Sequence, residues 1–189
     1  MKIVIGTAGE IASGKETVAR YIIKKYGGSL YRFSDSLREI LTRMHLPADR
    51  SNYHKISMAL REYFGQDALS RIVYNDIKKS KNKIIILDGI RRKSDTEYLK
   101  DIKGFKLIFI DAKIETRLVR LKARKEKPDD KNKSIAKFKK EHESEVEIKI
   151  RKLKKIADFV VDNNGEKTKL FQQIDQIIDR ISKKKSNLV

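Results

Sequence analysis

The chain has no cysteine and only two prolines, and no apolar run approaches the ~18 residues of a membrane span. Without cysteine there is neither a disulfide nor a thiolate metal site, which fits a reducing, cytoplasmic compartment. With so little proline and no low-complexity stretch, nothing marks a linker, and no internal repeat is visible. At 189 residues a single domain with a substantial core is expected. The opening MKIVIG carries one lysine and a short apolar run, which is not the form of a secretory signal. No membrane association is expected.

Negative charge is also scarce. There are 26 acidic residues against 45 basic ones, a net charge of +19. That potential attracts polyanions such as nucleotides, CoA-like phosphates or nucleic acid. The alternative is a lysine- and isoleucine-rich composition in which much of the lysine is solvated surface.

What the chain does have is an alternation of two periodicities. Runs rich in β-branched residues span 2–6, 29–33, 83–88, 105–111 and 158–162, and three are almost continuously apolar, as strands covered on both faces are. Amphipathic stretches fall near 14–26, 35–45, 53–64, 67–80, 94–101, 113–126, 134–156 and 166–183. Strand alternating with helix implies parallel strands joined by crossovers, hence a three-layer α/β/α sandwich around a five-stranded parallel sheet. Ligands of such sheets bind beyond the carboxyl ends of the strands.

The first such end reads GEIASGKET. Gly9 to Lys15 matches G-x-x-x-x-G-K, with Glu10, Ile11, Ala12 and Ser13 between the glycines. Glycine lets backbone N–H groups approach phosphate oxygens, the helix N-terminus at Gly14 adds its dipole, and the Lys15 ammonium can bridge β- and γ-phosphates. The pattern calls next for Ser or Thr, the hydroxyl that normally holds Mg²⁺, and here Glu16 stands there, followed by Thr17. Glu16 is either a helix-dipole partner or a carboxylate that reaches the metal. Thr17 is the hydroxyl left for phosphate or metal shell.

Further strand ends supply the other side of a transfer site. Asp35, after the second strand, either caps the next helix with Ser34 or accepts the proton of an attacking hydroxyl. Arg38, one turn on, is placed for an acceptor phosphate, and Arg61 follows in the next helix. The third strand ends in LDGIRR, with Asp88 as a metal-side carboxylate, Gly89 for close backbone approach, and Arg91 favoured over Arg92 for phosphate. Arg117, Arg120 and Arg124 share one helical face, ahead of the polar loop KEKPDDKNKS. That face is either a solvated basic surface or part of a lid, in which case Arg120 and Arg124 are the preferred donors. Glu145–Lys149 and Glu147–Arg151 read as structural i, i+4 pairs. Asn163, Asn164 and Gly165 read as a turn after the fifth strand.

Taken together, GEIASGKETVA, FSDSLREIL, DGIRRKSDTEYL, the arginine-bearing helix and ADFVVDNNGEKTKL resemble the P-loop nucleotide kinases over nearly the whole chain. The likeness is to dephospho-CoA kinase and the phage-type deoxynucleoside monophosphate kinases. The close ADFVVDNNG is similar to the AD-x-V-I-x-N-x-G ending of dephospho-CoA kinases. The acidic residue after the loop lysine resembles the S-G-K-D variant of phage deoxynucleotide kinases and animal phosphomevalonate kinase. The resemblance implies a core of 1–34, 81–121 and 156–185, a helical substrate-binding region at 35–80 and a lid at about 122–135. It also implies Mg²⁺ as cofactor, ATP as donor, and a loop at Asn164 beside the adenine, where a plain turn remains the other reading. The acceptor region departs from dephospho-CoA kinases, which carry Asp-x-Asp where this chain has Ser34–Asp35.

These readings combine into an ATP-dependent kinase acting on a nucleotide or nucleotide-like, phosphorylated acceptor, as a monomer or small homo-oligomer. The competing class is a non-catalytic or regulatory P-loop protein that associates with nucleic acid through its basic surface. No nucleic-acid module or aromatic stacking cluster accompanies that charge, so such binding would be non-specific.

Overall fold

The computed structural model describes residues 2–124 and 134–186. Its sheet comprises β1 (Ile3–Ala8), β2 (Ser29–Arg32), β3 (Ile84–Asp88), β4 (Phe105–Asp111) and β5 (Phe159–Asp162). The order is β2-β3-β1-β4-β5, and every neighbouring pair is parallel. β1 lies at the centre and all six of its residues are buried, so no position on it is polar except Thr7. β2 and β5, at the edges, have four residues each.

Alternation along the strands divides the core between the two faces. Val4, Ile85, Leu87, Leu107 and Phe109 face one side. There they meet α2 (Phe33–Arg43) through Phe33 and Leu37, and α4 (Ala68–Lys79) through Leu69, Val73 and Ile77. Ile3, Ile5, Ile86, Ile108, Ile110 and Val161 face the other. They bury Val18, Ala19 and Ile22 of α1 (Lys15–Tyr26) and Leu170, Ile174, Ile177 and Ile181 of α8 (Lys167–Ser186). The period-two pattern on the strands and the three-to-four pattern on the helices thus specify the same two interfaces. Each fully buried aliphatic side chain contributes roughly 1.5–3 kcal/mol.

Between β2 and β3 the chain runs through α2, α3 (Arg50–Phe64) and α4. After β4 come α5 (Ile114–Arg124), then α6 (Ile135–His142) and α7 (Glu145–Lys152), before β5. Among the described residues no helix is long and apolar enough to cross a membrane.

Two stretches expected to be single helices are not. Residues 94–101 form two 3₁₀ turns, Lys93–Thr96 and Leu99–Asp101. The Asp95 carboxylate accepts the N–H groups of Arg91 and Arg92, and that local bonding competes with α-helix. The stretch 134–156 breaks after His142, because Ser144 caps a new helix by accepting the Glu147 N–H. α2 starts at Phe33, two residues before the expected 35, with Asp35 at its third position.

Candidate active site

The segment from Gly9 to Lys15 joins the buried end of β1 to α1 at the carboxyl edge of the sheet. Gly9 has φ +148, and a Cβ there would lie 2.5 Å from the Ile110 carbonyl oxygen and 2.6 Å from Ser13 Oγ. Gly14 has φ +104 and caps α1. Inside the loop, Ser13 N–H donates to the Glu10 carbonyl at 3.1 Å, and Ala12 takes a left-handed φ of 59. Lys15 Nζ arches over the turn, donating to the carbonyls of Gly9 at 2.7 Å and Glu10 at 3.1 Å. The Ser13 hydroxyl is buried with no hydrogen-bond partner. A glycine-bounded turn, a helix N-terminus and an ammonium at its mouth form an anion cradle.

The register pairs Thr7 of β1 with Asp88 at the end of β3. Thr7 Oγ1 lies 3.4 Å from Asp88 Oδ1, and among the described residues that carboxylate has no cation beside it. Glu16 is turned along α1, where its carboxylate meets Arg20 at 2.7 Å. Thr17 is half-buried on the first turn. No group of three or more carboxylate or imidazole ligands occurs among the described residues. Mg²⁺ keeps several waters and takes one or two carboxylates plus phosphate oxygens, chemistry that the Asp88 carboxylate and the Thr17 hydroxyl could supply.

The arginine face of α5 divides inside the structure. Arg117, grouped by spacing with the lid arginines, is 1 % exposed and points under the loop. Its Nε donates to the Ala112 carbonyl at 3.1 Å, and its Nη2 lies 3.3 Å from Glu10 Oε1. Arg151 of α7 and His142 of α6 close on the same carboxylate at 3.0 and 2.8 Å. Burial holds the Arg117 guanidinium below its ordinary pKa, opposed by Glu10. Glu10 is therefore a loop residue whose amide lies in the cradle while its side chain anchors three helices. Ile11 N–H donates to Glu147 Oε2 at 3.3 Å, and Ile11 and Ala12 pack on Leu118, Leu121 and Phe138. Glu147–Arg151, expected as a helix-surface pair, gives way to these contacts with the loop. Glu145–Lys149 forms as expected.

Arg120 stands three residues on, and its disposition is the reverse. Its Nη2 donates to Asn163 Oδ1 at 3.3 Å, and Nη1 is buried with no partner among the described residues. Burial lowers its pKa, and among the described residues no carboxylate opposes that. Asn163 in turn donates to the Ser13 carbonyl at 2.7 Å. Asn164, expected at the adenine, accepts the Lys113 N–H at 2.7 Å and bonds to Asp162, so it holds the turn after β5 against the start of α5. The Arg124 side chain and most of the expected lid, 125–133, lie outside the described residues.

On the acceptor side, Asp35 caps α2: Oδ2 accepts the Arg32 N–H at 3.2 Å, and Oδ1 meets Arg38 at 2.9 Å. Arg38 also donates to the Tyr53 hydroxyl at 3.0 Å, and that contact leads the causes that raise its pKa. Asp35, Arg38, Glu39, Thr42, Arg43 and His45 line a cavity of about 490 Å³. Arg61 is a correction to the sequence reading. It is 4 % exposed, its Nη2 meets Asp95 at 2.5 Å and its Nη1 meets the Gln66 carbonyl at 2.5 Å, so its charge is spent in the interior. Gly89 sits against Phe33 with φ +98. Arg91 is exposed, and among the described residues its guanidinium has no partner, whereas Arg92 reaches Gln66 and Met58.

Sequence reasoning passed over the roles of Glu10, Asp95, Arg117, His142 and Asn163. Helical spacing does not show whether an arginine face is inside. For Asn163 a signal existed, since the doubled asparagine follows a strand end that must face the loop.

The geometry agrees with comparisons to known proteins. A family model described as an AAA domain matches residues 8–139. The UPF0200 protein MJ1399 of Methanocaldococcus jannaschii is 30% identical over 181 residues, spanning 95% of this chain and 90% of that protein. A UPF0200 protein of Methanothermobacter thermautotrophicus is 27% identical over 184 residues, spanning 96% and 92%. Among solved structures, shikimate kinase from Acinetobacter baumannii in complex with shikimate superposes with a TM-score of 0.58 at 15% identity, over 98% of this chain and 96% of that one. TT1252 from Thermus thermophilus gives a TM-score of 0.60 at 17% identity, over 95% and 97%. The fold is that of the P-loop kinases.

Proposed function

The chain belongs to the AAA domain family and to the UPF0200 proteins, and on that premise we propose that it is an ATP-dependent phosphotransferase. It would transfer the γ-phosphoryl group to a small nucleotide or nucleotide-like acceptor, a (deoxy)nucleoside monophosphate or dephospho-CoA. The observation that carries this reading is the anion cradle at Gly9–Lys15 with an arginine, Arg120, that no carboxylate among the described residues compensates, two hydrogen bonds away.

Phosphoryl transfer asks the protein for positioning and charge stabilisation more than for covalent chemistry. The amides at the start of α1 and Lys15 Nζ hold the β- and γ-phosphates, and Lys15 exchanges its carbonyl contacts for phosphate oxygens. Mg²⁺, when bound, neutralises the phosphate oxygens, and Asp88 with Thr17 would hold it. Arg120, joined by Arg124, offers N–H donors to the charge that develops on the transferred group. Asp35 orients the acceptor hydroxyl, while Arg38 and Arg91 bind the acceptor's own anionic group. Arg61 has no part in this set.

The test is an ATP/Mg²⁺ consumption screen against AMP, CMP, dCMP, dTMP, GMP and dephospho-CoA, with ATP binding followed separately by calorimetry. Turnover is expected with one class of these acceptors, and none with any of them overturns the transferase reading. Lys15→Ala should lower turnover about 100-fold or more, because it removes the ammonium at the mouth of the cradle. Near-normal turnover in that variant would remove the loop from the reaction.

A further inference from the structure

We propose that Asn163 is a positioning residue: its amide ties the phosphate loop to Arg120 and holds that guanidinium, charge unspent, toward bound nucleotide. The inference rests on the reading of Gly9–Lys15 as a nucleotide site. Asn163 is 4 % exposed and fixed at the end of β5, where its own N–H donates to the Asp111 carbonyl at 2.8 Å. Its side chain then faces two groups of opposite kind. The Ser13 carbonyl can only accept, and the Arg120 guanidinium can only donate. A carboxamide is a side chain that satisfies both at once.

The fit also depends on Gly14. A Cβ at that position would lie 2.2 Å from Asn163 Nδ2. The second glycine of the loop therefore serves the loop's own turn and also admits the amide that braces it.

Neutrality is the functional point. α5 carries two partly or fully buried arginines three residues apart, and the protein treats them oppositely. Arg117 is neutralised by Glu10. Among the described residues Arg120 receives only the uncharged Asn163 oxygen, leaving Nη1 buried and without a partner. A carboxylate at 163 would steady the guanidinium equally well, but it would pair with it and compete with an incoming phosphate. An amide orients the fork and leaves its charge for the ligand.

The experiment is calorimetric titration of ATP with Mg²⁺ into the full chain, as wild type, Asn163→Ala, Arg120→Ala and the double variant. Each single change should raise Kd about tenfold, and the double variant should bind no more weakly than Arg120→Ala alone. A brace acting on the loop alone would instead cost the same with or without Arg120, and that additivity overturns the proposal. Asn163→Asp should also lose about tenfold, because its carboxylate captures Arg120 and can no longer donate to the Ser13 carbonyl, with its melting temperature read alongside to show that it folds. Wild-type affinity in Asn163→Asp likewise overturns it. Absence of ATP binding by the wild-type protein is a different result, which removes the nucleotide-site reading itself.

Discussion

Glu16 follows the loop lysine where a hydroxyl is usual, yet its carboxylate points along α1 to Arg20. Both side chains are exposed, and an i, i+4 pair of this kind is worth about 0.3–0.5 kcal/mol. Glu16→Gln should therefore lower stability in urea by no more than about 0.5 kcal/mol and leave the Mg²⁺ titration of ATP binding unaltered. Asp88, which among the described residues has only a threonine hydroxyl beside it, should behave differently. Asp88→Asn is expected to raise the Mg²⁺ requirement several-fold, and an unchanged requirement would leave the metal without a carboxylate. At this scale the sequence was legible where chemistry is local: Gly9, Gly14 and Lys15 act through neighbours within the same turn. It was illegible for Arg61 and Arg117, whose partners Asp95 and Glu10 lie 34 and 107 residues away.

Among elements, the contact between α1 and α8 carries the clearest pH signature. Asp175 of α8 accepts hydrogen bonds from Tyr21, Tyr26 and Lys25 of α1. Burial pushes the Asp175 carboxyl up, but bonds from Lys25, Tyr26 and Tyr21 outweigh it and hold the pKa below its ordinary value. Its contribution is thus present above the ordinary carboxylate range and is lost as pH falls through the lowered value. On the alkaline side, burial and then Asp175 push the Tyr26 hydroxyl up to about 12, and Asp175 with Tyr21 raises Lys25. Those contributions are present below the ordinary tyrosine and lysine values and fade as pH climbs through the raised ones. Asp175→Asn should therefore be less stable than wild type near neutrality, the gap closing as pH falls through the lowered Asp175 value and narrowing again as pH rises through about 12, in urea melts. A constant gap at all pH values would reduce the cluster to packing. Element existence was readable from periodicity, but the division of 134–156 was not. It turns on Ser144 capping a helix whose first turn faces the phosphate loop, a tertiary circumstance.

For the molecule as a whole, strand order places β1 in the middle of the sheet, so the loop at its end is flanked by both halves of the chain. The five-stranded parallel sheet was legible because apolar runs and amphipathic stretches alternate without interruption. The net charge of +19 was legible too, but it says little alone, since many cations are committed to partners such as Glu10, Asp95, Asp111 and Asp175.

One feature of this layout reaches beyond the site. Glu10 and Arg151 are 141 residues apart in sequence and meet beneath the loop, alongside His142 and the packing of Ile11 on Phe138. A ligand that favours the closed loop must then also favour the docked form of α6 and α7, and by thermodynamic reciprocity loosening those helices must weaken the ligand. Backbone amides at 138–152 should exchange with deuterium several-fold more slowly when ATP is bound. Glu10→Gln should erase most of that protection. Occupancy of a seven-residue turn near the start of the chain would then be readable as deuterium uptake in its last third.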